Sequence, residues 1–197
     1  MSDPARRPGL ARFAVELLAF TVVFFALWYA AAAPLSSATG WLAARLAELP
    51  ASVDRVKQQA AKGRDIVFEV EPDHESVRRA RLPADAVVDV PVNPLKHTFG
   101  LPFFLALIVA ARPSGWGWKL LLGSAVVMAL GAVGLACELL VHIGSVRGAE
   151  GQVIFEMGGR ELIALGFQLG TLAFPTVVPA MLWVAMDRDR LRPYFRP

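Results

Sequence analysis

The sequence contains a single cysteine, Cys137, and only three histidines in 197 residues. One thiol permits no intramolecular disulfide and no cysteine-rich metal site, so any water-exposed domain must be held by packing alone. A phosphate-cradling glycine loop, a serine nucleophile elbow and a zinc-protease helix motif are all missing, and no enzyme class is signalled. Charge is scarce within the long apolar stretches. The formal charge of +3 would suit nucleic acid if the basic residues formed one patch, but they are split between short flanks and a mixed-charge middle. Nucleic acid is therefore excluded as a partner, and membrane lipid takes its place.

What is abundant is apolar: 55% of the residues, gathered into long blocks rather than spread along amphipathic elements. Such blocks read as bilayer spans, each crossing a hydrocarbon core of roughly 30 Å. Four are expected: 13–33, 98–111 with a start reaching back to about 95, 120–143 and 161–186. The first follows a basic tail, 1–12, and ends in an Ala31-Ala32-Ala33 run that resembles a signal cleavage site. Its length exceeds the 7–15 apolar residues of a signal, so it is read as a retained helix. The loop 112–119 carries Arg112, Trp116, Trp118 and Lys119 around Pro113 and Gly115, the composition of a cytoplasmic hairpin. The tail 187–197 is basic again, whereas the loop 144–160 is neutral. Counting the short flanks puts both termini in the cytoplasm and, in a bacterium, the segment 34–97 in the periplasm across the inner membrane.

That segment has nine Lys or Arg against nine Asp or Glu. From Ser36 to Ala61, Trp41, Leu42, Leu46, Leu49, Val53 and Val56 recur at roughly helical intervals interrupted by Pro50, predicting one amphipathic helix or two short ones. Ile66, Phe68 and Val70 then alternate with Val67, Glu69 and Glu71, and Val87-Val88-Asp89-Val90-Pro91-Val92 follows a charged connection. These predict two strands. The expected fold is mainly α and integral to the membrane, a four-helix transmembrane bundle with a small α+β extracytoplasmic insertion containing a short β-hairpin.

Few residues carry chemistry. Glu138 and His142 lie four apart near the outer end of the third span, where a carboxylate must face protein or water. Their mutual pairing is the structural reading, and a proton-linked transporter or intramembrane enzyme is the functional one. Metal binding would need ligands beyond these two, with only His74, His97 and scattered acids to supply them, so neither metal nor cofactor is expected. Cys137 is about 140° around the helix from His142, which rules out a shared face for nucleophilic catalysis. Gly166 and Gly170 form a small-xxx-small pair for close helix packing, and Gln168 offers an interhelical amide. Asn93 and Pro94 favour a fixed turn at the domain–membrane junction, with Gly100 and Pro102 just beyond it.

The segment Val92-Asn93-Pro94-Leu95, then Phe99-Gly100-Leu101-Pro102-Phe103-Phe104-Leu105-Ala106-Leu107, resembles the junction of the exosortase H-associated membrane proteins. So does Glu161-Leu162-Ile163-Ala164-Leu165-Gly166-Phe167-Gln168-Leu169-Gly170 with its following prolines, as does the Phe25–Tyr29 run. A longer, charge-rich connection from Pro72 to Pro83 departs from the family. The resemblance implies a non-enzymatic partner of an exosortase, the multi-spanning transpeptidase-like enzyme that processes C-terminal sorting signals at the inner membrane of Gram-negative bacteria. It implies no catalytic residues. The alternative from composition alone is a small structural subunit of a larger energy-converting or photosynthetic membrane complex. The sequence specifies neither that partner's identity nor the oligomeric state.

Overall fold

The computed structural model describes residues 10–50, 53–62, 65–83, 85–145, 155 and 157–187. Both basic tails up to Gly9 and from Arg188, and most of the 144–160 loop, lie outside them.

Helix α1 (Leu10–Ala30) runs almost without interruption into α2 (Ala32–Ala47). The Ala31 N–H donates to Leu27 O at 2.8 Å and the Leu35 N–H to Ala31 O at 3.1 Å, so the ladder survives the joint. Pro34 has no N–H to offer the Ala30 carbonyl, which accounts for the irregular turn at Ala31. The rod is about 57 Å long at 1.5 Å per residue, nearly twice the hydrocarbon thickness. The first apolar block is therefore about half of a nearly continuous helical stretch that is longer than a bilayer core requires.

After the outer segment, α4 (Leu95–Thr98) and α5 (Gly100–Ala111) form a short apolar helix. Arg112, in the left-handed region at φ 45°, and Pro113 end it. The long α6 (Trp116–Ser145) returns, and α7 (Met157–Gln168), a π-helical turn (Leu169–Ala173) and α8 (Phe174–Met186) complete the chain. Three stretches are long and apolar enough to cross a membrane: Ala11–Ala30, Trp116–Ser145 and Gly158–Met186. The fourth expected span, 98–111, belongs to the shorter helix Leu95–Ala111, which packs centrally against α1, α6 and α8. Phe104 and Ile108 on it are fully buried.

The segment 53–92 holds the expected antiparallel strand pair and adds a third strand to it. Strands β1 (Val53–Lys62), β2 (Asp65–Pro72) and β3 (Val88–Val92) form one antiparallel sheet in the order β1-β2-β3. Residues 53–61, predicted as helix, are strand. The register shifts between Val53 and Arg55, so two residues oppose one and Val53 and Val56 share the buried face despite a spacing of three. That bulge imitates the i, i+3 spacing of a helix. The charged connection holds a short helix, α3 (His74–Ala80), whose first turn is capped by the Asp73 carboxylate, accepting from the Glu75 and Ser76 N–H groups at 3.1 Å each.

Domain and bundle share one core. Ile66, Phe68, Val70, Val90 and Val92 from the sheet pack with Ala43 and Ala47 of α2 and with Leu135, Leu139 and Ile143 of α6. The C-terminal third of α6 thus becomes a core element of the sheet domain.

Candidate functional site

The chain passes from the sheet to the apolar helix Leu95–Ala111 between Val92 and Leu95. The Asn93 side-chain oxygen accepts from the Leu95 N–H at 3.0 Å, and its carbonyl accepts from the Lys96 N–H at 3.3 Å. This closes a turn on Pro94, which is itself buried. The turn delivers Lys96, His97 and Thr98 onto one face of α6.

Glu138 receives them. Its Oε1 accepts from the Lys96 ammonium, and its Oε2 lies 2.6 Å from His97 Nε2. The Glu138 and His97 side chains are 3% and 0% exposed, while Lys96 is 43% exposed and reaches the surface. On the far side of the ring, His97 Nδ1 lies 3.3 Å from the Gly170 carbonyl. That carbonyl has lost its helical donors. The Phe174 N–H bonds one residue earlier, to Leu169 O, and the next candidate, Pro175, carries no N–H. The π-turn therefore leaves an orphan acceptor that His97 satisfies. Oxygens thus face both ring nitrogens, the Glu138 carboxylate on one side and the Gly170 carbonyl on the other.

Glycines make the approach possible. A Cβ on Gly134 would lie 2.7 Å from the Gly170 Cα and 2.9 Å from His97 Nδ1, and one on Gly131 would meet the His97 carbonyl at 2.7 Å. A Cβ on Gly100 would stand 2.6 Å from the Pro175 carbonyl oxygen. Trp28 of α1 adds its indole N–H to the Thr98 hydroxyl at 3.2 Å. Four segments thus converge here: α1, the α4–α5 helix, α6 and the π-turn.

The depth of the cluster follows from helix geometry. At the other end of the bundle the Lys119 ammonium donates to the Met186 carbonyl at 2.6 Å, placing the ends of α6 and α8 at one level. Glu138 is 19 residues further along α6, about 28 Å, close to a full bilayer core. The cluster therefore lies about one bilayer-core thickness from the Lys119 end of the bundle, and Lys96 extends from it to the surface.

The structure separates Glu138 from the side chain of His142. His142 is exposed and only donates from Nδ1 to the Glu138 backbone carbonyl at 2.9 Å. Gly170 faces inward onto Gly134. A Cβ on Gly166 would lie 2.6 Å from Cys137 Sγ, so both glycines serve packing within the chain. Gln168 is exposed on the outer surface, and Pro102 is buried at the start of α5. Among the described residues, no three His, Cys, Asp or Glu side chains group as metal ligands.

Lys96 and His97 were not expected as partners of Glu138. A signal existed: a Lys-His pair at the mouth of an apolar block needs an acid, and Glu138 is the acid lying inside the block 120–143.

Compared with known proteins, residues 7–190 match the sequence model of a family described as "Exosortase H-associated membrane protein". No curated protein and no solved structure matches the chain.

Proposed function

The chain belongs to the exosortase H-associated membrane protein family, and from that premise we propose that it is a non-enzymatic inner-membrane accessory that binds an exosortase and holds an outer domain at a fixed height and angle beside it. The observation that carries the reading is the shared core. With α6 common to bundle and domain, and the Lys96–His97–Glu138 cluster pinning the entry turn, the domain is rigidly mounted on the membrane helices. Rigid mounting suits a positioning subunit. Within the described residues, each member of the cluster at the junction is hydrogen-bonded inside the chain, which fits a structural role better than a reaction centre.

In this reading Leu95–Ala111 is a fourth crossing, completed at its outer end by the ion cluster, and both termini face the cytoplasm. The long apolar face of α1, with Val15, Leu18, Val22 and Leu27 all exposed, is available to lipid or to a partner helix.

The test is purification of the tagged protein from its native membrane in mild detergent, followed by mass spectrometry of what stays bound. Recovery of an exosortase above the level seen with an unrelated four-helix membrane protein supports the proposal. Stoichiometric recovery of a different complex replaces it with a structural-subunit reading.

A further inference from the structure

The sheet ends in two edges of different character. On β3, Pro91 lies opposite Val67 and has no N–H, so that edge cannot offer a continuous ladder. On β1 the outward N–H of Val56 is taken by a side chain, Glu48 Oε1 at 3.0 Å, rather than by a strand. The other oxygen of Glu48 accepts from Arg45 at 3.1 Å. A groove of about 350 Å³ runs along this edge, between Trp41, Arg45 and Glu48 of α2 and residues 54–58 of β1. Five consecutive strand residues alternate between the two faces of a sheet, so what they jointly present to a groove is the backbone edge itself.

The two faces at this edge differ. Arg55 and Lys57 are exposed on the solvent face, and their cross-strand neighbours on β2 are Glu71 and Glu69, with Asp89 next on β3. Two cations therefore end the sheet beside two acids of β2, with Lys57 bridging to Glu71 at 2.8 Å and to Glu69 at 3.8 Å and Arg55 beside it. On the other face, the groove is lined by Val56 and Ala44, with the exposed indole of Trp41 beside them. Among the described residues of the domain, Trp41, Leu49 and Val87 are the large apolar side chains left exposed, and Trp41 lines the groove.

We propose that the β1 edge is a docking site for an extended polypeptide segment with acidic residues at alternate positions and apolar ones between them, which adds as a fourth strand and displaces Glu48 from the Val56 N–H. Backbone pairing supplies the ladder, the Arg55–Lys57 row meets the acids, and the intervening apolar side chains pack toward Trp41. Pairing of two copies edge to edge is disfavoured: a two-fold centred on Val56 sets Arg55 against Lys57, and one centred on Lys57 sets like against like. Glu48 acts as an intramolecular stand-in for the incoming strand, which keeps the edge covered when nothing is bound. The inference rests on the outer domain engaging a polypeptide, but not on which enzyme the membrane helices meet.

The test uses the full-length protein in nanodiscs and a fluorescein-labelled eight-residue peptide of alternating Val and Glu, read by anisotropy. Controls are the Val/Lys analogue and the same peptide with a central proline. Saturable binding of the Val/Glu peptide alone is expected, about tenfold weaker in Arg55→Glu/Lys57→Glu, since two cross-strand charge pairs are reversed. Trp41→Ala, at an exposed position, weakens it without altering the circular dichroism spectrum. Glu48→Ala strengthens it by removing the competitor. Equal binding of all three peptides, no saturable binding, or a self-associated dimer that excludes the peptide overturns the assignment. Peptide capture and co-purification of an exosortase are separate readouts, so failure of one leaves the other standing.

Discussion

Glu138→Leu is the most informative single change at the junction. It removes the acceptor of both His97 Nε2 and the Lys96 ammonium while keeping an apolar helix-forming side chain of similar length. Lys96 is 43% exposed and can swing to water, so its lost ion pair costs little. His97 cannot follow: its side chain is fully buried, and its ring is also held to Gly170. Stranding a buried polar partner of a charged group costs about 3 kcal/mol, within the 3–5 kcal/mol seen when one member of a buried pair is deleted. Glu138→Gln keeps an acceptor oxygen for His97 and should lose about half as much. The assay is reversible unfolding in mixed micelles, monitored by tryptophan fluorescence, as a double-mutant cycle with His97→Ala. A coupling energy of about 2 kcal/mol is expected between the two positions, because they touch at 2.6 Å. Glu138→Leu as stable as the parent, or a coupling energy near zero, would refute the claim that this contact pins the junction.

Three further outcomes follow from the geometry. Gly134→Val places side-chain atoms against the Gly170 backbone and His97, and should abolish accumulation of folded protein, whereas Gly158→Ala, in open space, should be neutral or slightly stabilising in the same expression and melting assays. A cysteine at Ser114, in a Cys137→Ala background, should react with a membrane-impermeant maleimide only in inside-out vesicles; labelling of intact spheroplasts instead would show that Leu95–Ala111 does not cross. On the sheet, the hydrogen bond from Lys57 at 2.8 Å holds the Glu71 carboxyl below its usual range and the Lys57 ammonium above its own. The pair's contribution is therefore present at neutral pH, lost in acid as Glu71 protonates and lost in alkali as Lys57 deprotonates, and Lys57→Met should raise the Glu71 carboxyl pKa observed by carbon NMR.

Hydropathy made the long helices legible because bilayer-spanning blocks need no tertiary information to be recognised. The alternation of Ile66, Phe68 and Val70 is likewise visible in the sequence, and it is the buried face of β2. The misreading of residues 53–61 came from a bulge, which a pattern search counts as helical spacing. Leu49 and Trp41 reinforced that error, since they look like part of an apolar stripe but are exposed. The candidate site was only half visible. Glu138 stood out as a carboxylate in an apolar helix, and its neighbour in sequence, His142, seemed the natural partner. The actual partners lie 41 and 42 residues away, because Gly131 and Gly134 let the start of α4 press onto α6. Equally hidden was the Gly170 carbonyl, whose need for a donor arises from a π-turn next to Pro175 rather than from any residue type.

The α1–α2 rod is rooted in lipid at one end and planted in the sheet at the other. Helices tilt when the hydrocarbon layer is thinner than their apolar length. A 10° change at the membrane surface, carried along the roughly 24 Å of α2, displaces its tip by about 4 Å. Movement of that size would pull the tip out of the core that α2 shares with the sheet and α6, so the same packing that seats the domain obliges rod and bundle to tilt as one body.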